Sequence, residues 1–158
     1  MRRIIAGSVR GRMAVSTAAV GKTYPATTYA VGREKVREFA LATGETNALH
    51  LDPATAREAG YADVVAPPMF CVVYSSPAIA PVLFDPEVGI DFSMMVHGGQ
   101  EFRWGPLVVA GAEVSTTVTV RGIEERAGRG FYTFESVSED DAGNTVCVGT
   151  WTNIVRAA

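Results

Sequence analysis

The chain has 158 residues, 47% of them hydrophobic and 20% charged, with a net charge of −3; this suits one globular domain with a sizeable core and excludes a disordered or low-complexity chain. So small a negative charge gives no electrostatic basis for binding nucleic acid or an acidic membrane surface. Its two cysteines, Cys71 and Cys147, lie in apolar runs and make no disulfide framework, so the expectation is a soluble, cytoplasmic protein.

Residues 1–13 (MRRIIAGSVRGRM) open with two arginines and an apolar run that stops well short of a secretory core. They are expected to be a disordered extension, leaving 14–158 as the folded domain. No other segment is long and apolar enough to span a membrane without interruption by proline or charge. Residues 20–24, with Pro25, read as an entry loop and 27–31 as a short first strand. Between 33 and 43 the period is helical. Val36, Phe39, Ala40 and Thr43 fall on one stripe with charged residues opposite, and Gly44 stands where a helix stops.

The next stretch, Thr43-Gly44-Glu45-Thr46-Asn47-Ala48-Leu49-His50-Leu51-Asp52, carries a carboxylate, a carboxamide and one of only two histidines. Glu45 and His50 sit five apart, which does not put them on one face of a regular helix. In a loop between helices the two side chains can converge on one water. The imidazole then takes or gives a proton while the carboxylate positions the water or exchanges a second proton. Alone, His50 reads as a capping or surface histidine and Glu45 as a solvated loop acid. Asn47 either stabilises a turn or serves the site.

Asp52 has the chemistry of an N-cap and Pro53 that of a first helical residue, beginning a two-turn helix that Gly60 ends. Ala66-Pro67-Pro68 marks a sharp break before residues 69–84 (MFCVVYSSPAIAPVLF), which are almost entirely apolar. Such a run is buried on most sides if helical. Pro77 and Pro81 predict a regular helix to about Ser76 and a kinked or irregular continuation, with a loop over 85–89. The remainder reads as sheet. Strands are expected over 96–104, 114–125, 131–139 and 145–156, with turns at 127–130 and 140–144. In the second of these strands Val114, Val118 and Val120 share one face and Ser115, Thr117 and Thr119 the other. Gly98-Gly99 suits a bulge or close backbone approach. His97 reads as structural or interfacial, and Arg103 and Arg129 as solubilising unless they meet a phosphate. A strand, then helices including one long apolar helix, then an antiparallel meander make an α+β domain. A curved antiparallel sheet wrapped around one apolar central helix is the hot-dog architecture.

Gly44-Glu45-Thr46-Asn47-Ala48-Leu49-His50 resembles the signature Gly-Asp-x-Asn-Pro-aliphatic-His of MaoC-like (R)-specific enoyl-acyl hydratases and dehydratases. Ala66-Pro67-Pro68-Met69-Phe70, His97-Gly98-Gly99-Gln100-Glu101-Phe102 and Pro106-Leu107-Val108-Val109-Ala110-Gly111 look like the N-terminal dehydratase branch of that family, and the resemblance covers residues 24–155. It implies catalytic roles for Glu45, His50 and Asn47 around one water that adds to, or leaves, a 2-enoyl thioester, with no metal or redox cofactor. It also implies a backbone N–H at the start of the central helix as donor to the thioester carbonyl, where enolate character develops. Pro68 has no N–H, so Met69 or Phe70 must supply it. Pro68, Met69, Phe70 and Tyr74 are the expected substrate-binding residues. The sequence departs from the signature twice: Glu45 is one methylene longer than the family's Asp, and Ala48 stands where Pro is usual.

The implied ligand is an acyl-CoA or acyl-carrier-protein thioester. The implied assembly is a homodimer, or a heterodimer with a related hot-dog subunit, since an open sheet edge tends to be paired. Two alternatives stand beside the enzyme: a non-catalytic substrate-binding subunit that completes a partner dehydratase, and a hot-dog thioesterase. Thioesterases of this fold usually carry their acid on the central helix, and residues 69–84 hold no carboxylate.

Overall fold

A computed structural model describes residues 15–156, so the expected extension at 1–13 lies outside the described residues. Strand β1 spans Thr23–Ala30, α1 Arg33–Ala42, α2 Pro53–Glu58, α3 Cys71–Leu83, and strands β2 to β5 Met95–Trp104, Glu113–Arg126, Arg129–Glu139 and Thr145–Arg156. Short 3-10 turns at Ala48–His50, Pro68–Phe70 and Phe92–Met94 join them. The five strands form one antiparallel sheet in the order β1-β3-β4-β5-β2. The strands after α3 run as expected, and β1 and β2 are its two edges.

The alternation of residue types decides which face of the sheet meets α3. Val114, Val118 and Val120 of β3 are fully buried, whereas Ser115, Thr117 and Thr119 are only half-buried. A register shift between Val120 and Gly122 adds one residue and turns Arg121 outward and Ile123 inward. The β3–β4 hairpin closes on two residues, Ala127 and Gly128, both with positive φ (50° and 72°), the geometry that matches strand twist. On β2 the expected bulge occurs between His97 and Gly99, where a Cβ on Gly98 would lie 2.7 Å from the Ile154 side chain. His97 itself is exposed, its ring edge-on to Trp151.

Two elements differ from expectation. β1 starts at Thr23, not 27, because Thr23 and Tyr24 pair with Thr119 and Val118 before a register shift that brackets Pro25. Pro25 has no N–H to give the ladder, and an edge strand tolerates that. Helix α3 runs through both prolines as one element to Leu83. Pro77 and Pro81 lie four apart on the helix's exposed side, so the carbonyls they leave without a partner face outward, where water can serve them. The outer residues Ser76, Pro77, Ala80 and Pro81 are exposed; the helix therefore buries one face rather than most of its surface.

That face meets two separate hydrophobic clusters. Ala78, Ile79 and Val82 pack with Val118, Val120, Tyr132, Phe134 and Trp151 on the sheet. Cys71 and Tyr74 pack instead with Val31 and Val36 from around α1, with Val64 and Phe70, and with Val146 and Cys147 of β5. A polar tie secures the first cluster's margin. Asp85, just past α3, accepts from Tyr24 Oη at 2.5 Å and pairs with Lys22 Nζ at 2.7 Å.

Candidate active site

Two helix endings place the Glu45–His50 loop by backbone geometry. Gly44 has φ +74° with open space around it, so the left-handed conformation alone requires glycine there. Its N–H donates to the Leu41 carbonyl at 3.2 Å and the Glu45 N–H to the Ala40 carbonyl at 2.8 Å, the paired bonds of a Schellman ending. Glu45 is thereby fixed three residues past the end of α1. The chain then makes a 3-10 turn whose Leu49 N–H donates to Asn47 Oδ1 at 3.0 Å and whose His50 N–H donates to the Asn47 carbonyl at 3.0 Å. Asp52 caps α2 through the N–H groups of Ala54 (3.0 Å) and Thr55 (3.3 Å), and Gly60 closes α2 with a second Schellman pair.

These constraints bring Glu45 and His50 together. His50 is buried, at 7% exposed, and its Nδ1 lies 2.6 Å from the Val65 carbonyl oxygen. A carbonyl only accepts, so Nδ1 carries the proton, and in the neutral ring Nε2 holds the free lone pair. Nε2 lies 3.4 Å from Glu45 Oε2, whose side chain is 42% exposed. The arrangement is a base held in one tautomer beside a carboxylate open to solvent. It can take a proton through Nε2 and stabilise the resulting imidazolium through Glu45. Asn47 is exposed, and its side-chain bond goes to the backbone of the turn that carries His50 rather than to either of the pair.

The segment after α2 is a wall shared by this pair and a cavity. Val65 bridges Val109, Ala66 N–H donates to the Val108 carbonyl at 2.8 Å, and Ala110 N–H to the Val64 carbonyl at 2.9 Å. While the Val65 carbonyl holds His50, the next residues, Ala66, Pro67 and Pro68, line a cavity of about 380 Å³ with Tyr74, Trp104 and Val146. Trp104 Nε1 donates to the Pro68 carbonyl at 2.8 Å and closes one side. Neither Glu45 nor His50 lines this cavity.

The four expected substrate-binding residues therefore separate. Pro68 and Tyr74 line the cavity. Phe70 does not: it is fully buried, edge-on to Phe39 at 5.4 Å between ring centres and near Tyr29 and Tyr74, because an aromatic ring just before α3 fills the gap beneath α1. Met69 is 47% exposed and lies outside the cavity lining. Of the two candidate N–H donors, that of Phe70 is taken by the Pro67 carbonyl at 2.8 Å, whereas that of Met69 has no acceptor among the described residues. Sequence reasoning missed Trp104, Leu107 and Val146 as cavity residues; they come from β2, the β2–β3 connection and β5, and no local spacing joins them. Among the described residues, no three His, Cys, Asp or Glu side chains converge as metal ligands, and no helix is long and apolar enough to cross a membrane.

The family model for the FAS1-like dehydratase domain region matches residues 18–148. The UPF0336 protein of Clavibacter michiganensis is 45% identical over 145 residues, covering 91% of this chain and 97% of its own. The UPF0336 protein of Streptomyces avermitilis is 40% identical over 147 residues, covering 92% and 98%. Among solved structures, a MaoC-like dehydratase superposes with a TM-score of 0.80 at 32% identity, over 89% of this chain; the chain spans 43% of that protein's length. The C-terminally truncated HadBC (3R-hydroxyacyl-ACP dehydratase) complex of Mycobacterium tuberculosis superposes with a TM-score of 0.76 at 24% identity, over 87% of this chain and 98% of the other. The R-hydratase PhaJ1 of Pseudomonas aeruginosa does so with a TM-score of 0.70 at 22% identity, over 88% and 83%, and both establish the hot-dog fold.

Proposed function

We propose that this chain, which belongs to the family of FAS1-like dehydratase domain regions, reversibly hydrates trans-2-enoyl thioesters of CoA or acyl carrier protein. In reverse it dehydrates (R)-3-hydroxyacyl thioesters. The observation that carries the reading is the tautomer lock on His50: Nδ1 bound to the Val65 carbonyl and Nε2 turned to Glu45. A water held by Glu45 and Nε2 gives Nε2 a proton as its oxygen adds to C3 of the enoyl group. Charge develops on the thioester oxygen, and the Met69 N–H, at the open end of the turn that leads into α3, is the donor available to it. A proton returned to C2 from the same pair completes the addition of one water.

The test is ultraviolet absorbance of the conjugated enoyl thioester, followed with purified protein and crotonyl-CoA or a medium-chain homologue. Hydration by the wild type that His50→Ala removes, in a protein still folded by circular dichroism, is the expected result. Unchanged turnover in a folded His50→Ala protein would overturn the assignment.

A second reading is favoured by one observation, the separation of the Glu45–His50 pair from the cavity. In it the chain is the substrate-binding half of a heterodimer, joined through the open edge of β2 to a related hot-dog subunit. It predicts inactivity alone and full activity with the partner even when His50 is replaced. A thioesterase is disfavoured because α3 carries no carboxylate.

A further inference from the structure

The two members of the Glu45–His50 pair are carried by different parts of the fold, and one ion pair ties those parts together. Glu45 follows the C-terminal end of α1, and Arg33 is the first residue of the same helix. His50 is held by the Val65 carbonyl, and Asp63 stands two residues before Val65. Arg33 grips Asp63 as a fork. Its Nε donates to Oδ1 at 2.9 Å and to Oδ2 at 3.0 Å, and its Nη2 donates to Oδ2 as well. Asp63 Oδ1 accepts one bond more, from the Val64 N–H at 2.7 Å.

From there the backbone is bonded at every successive group. The Val64 carbonyl accepts from Ala110 N–H at 2.9 Å, and Val65 N–H donates to the Leu49 carbonyl at 2.9 Å. The Val65 carbonyl takes His50 Nδ1, and Ala66 N–H goes to Val108. The first group in this run, the N–H of fully buried Val64, is the one held by a side chain. The Asp63 side chain is 16% exposed beneath the Arg33 guanidinium. An exposed single-point ion pair contributes little, but a fork onto a shielded carboxylate fixes direction as well as distance. Arg33, and after it the Val64 N–H, hold the Asp63 carboxyl below its ordinary range, so it is ionised near neutrality and keeps both grips.

We propose that Asp63, gripped by Arg33, is a positioning residue for the Glu45–His50 pair: it aims the Val65 carbonyl that keeps the proton on His50 Nδ1, and through Arg33 it sets how α1 presents Glu45 to Nε2. The kinetic consequence rests on the hydration reading; the structural one does not. Two peptide units separate the Val64 N–H from the Val65 carbonyl oxygen, which lies 2.6 Å from Nδ1, so a small rotation at Val64 spoils that bond. Nδ1 then loses its fixed acceptor, and the neutral ring divides its proton between the two nitrogens. In molecules with the proton on Nε2, the lone pair that takes a proton from water is on the wrong side of the ring. No contact with the ligand changes, so the loss falls on kcat and not on KM.

The experiment reads the ring itself. Long-range proton–nitrogen NMR, at a pH where imidazole is neutral, separates a protonated ring nitrogen from a bare one. The chain has two histidines, so the signals lost in His50→Ala are those of His50. The wild type is expected to show a protonated Nδ1 and a bare Nε2. Asp63→Ala should bring the two nitrogen shifts together as tautomers interchange, and lower kcat for crotonyl-CoA about 10–100-fold at unchanged KM. Asp63→Asn, which keeps an oxygen for the Val64 N–H, should restore the ring signature and most of kcat. Wild-type ring shifts in a folded Asp63→Ala protein would overturn the proposal. If that variant does not fold, Arg33→Gln carries the test: partial interchange is expected, and an unmoved ring overturns the proposal. A wild type with its proton on Nε2 would overturn the tautomer lock and the proposal together. A wild type with the expected tautomer but no hydration would overturn the hydration reading alone, and the ring shifts of Asp63→Ala would still decide the positioning role.

Discussion

The Glu45–His50 loop and the cavity beside it share the wall made by residues 65–68, yet they are built in opposite ways. In the loop almost every constraint is a backbone hydrogen bond: the two bonds at Gly44 and Glu45, the Asn47 turn, the Val65 carbonyl on His50. The cavity is shaped by side chains brought from α3, the 66–68 turn, β2 and β5, and one side-chain hydrogen bond, from Trp104 to the Pro68 carbonyl, joins its lining residues. A site held by backbone keeps its geometry under most side-chain changes. A site held by packing changes shape with each of them. Under the proposed hydration, chemistry and ligand choice thus rest on separate supports.

That contrast can be broken or sharpened by substitution. The largest expected effect is on rate: Glu45→Gln and His50→Ala should each lower hydration by about 10²–10⁴-fold. The double variant should lose little more than the worse single one, because the two act on the same water. Additive losses in steady-state assays would show that they act separately. Next comes Phe70→Ala, which empties the space beneath α1. It should cost about 3–5 kcal/mol of stability in urea unfolding while leaving the His50 tautomer lock intact. A cost below about 1 kcal/mol, the scale of a tolerated volume-conserving swap, would mean that the second hydrophobic cluster is not a packed core.

Asn47→Ala should be milder, about 0.5–2 kcal/mol from the lost cap. Its kcat should fall while KM holds if the residue aims His50 without touching ligand; an unchanged kcat would sink that positioning role. The smallest effect belongs to the far end of the fold. Lys22, and after it Tyr24, hold the Asp85 carboxyl down to about 2 from 3.8. A depressed folded value contributes stability above the unfolded value of about 4 and loses it as pH falls through about 2. Asp85→Asn should therefore flatten the acid limb of Tm against pH in that window and leave hydration near neutrality unchanged.

How much of this could be read beforehand follows the same division. The loop was legible because its determinants are local: Gly44 at a helix end, Asp52 before Pro53, Glu45 and His50 in one turn. The strands after residue 94 were legible from alternation, and the last, Thr145–Arg156, was expected residue for residue. Illegible were the features that depend on partners distant in sequence. Thr23 and Tyr24 extend β1 only because Thr119 and Val118 lie opposite. α3 passes Pro77 and Pro81 because its outer side is exposed, which no local pattern states. Phe70 and Trp104 exchanged their expected and unexpected roles for the same reason, since only the fold decides which aromatic meets the cavity.

The prolines of α3 have a consequence for how the molecule opens. Pro77 carries no amide hydrogen and leaves the Val73 carbonyl without its helical donor, and it falls between Tyr74, in one hydrophobic cluster, and Ala78, in the other. The seam in the helix thus coincides with the seam between the cores. The first two turns, which form the cavity wall, can fray as a cooperative unit while the last two stay on the sheet, so amide exchange should report two protection levels along one continuous helix.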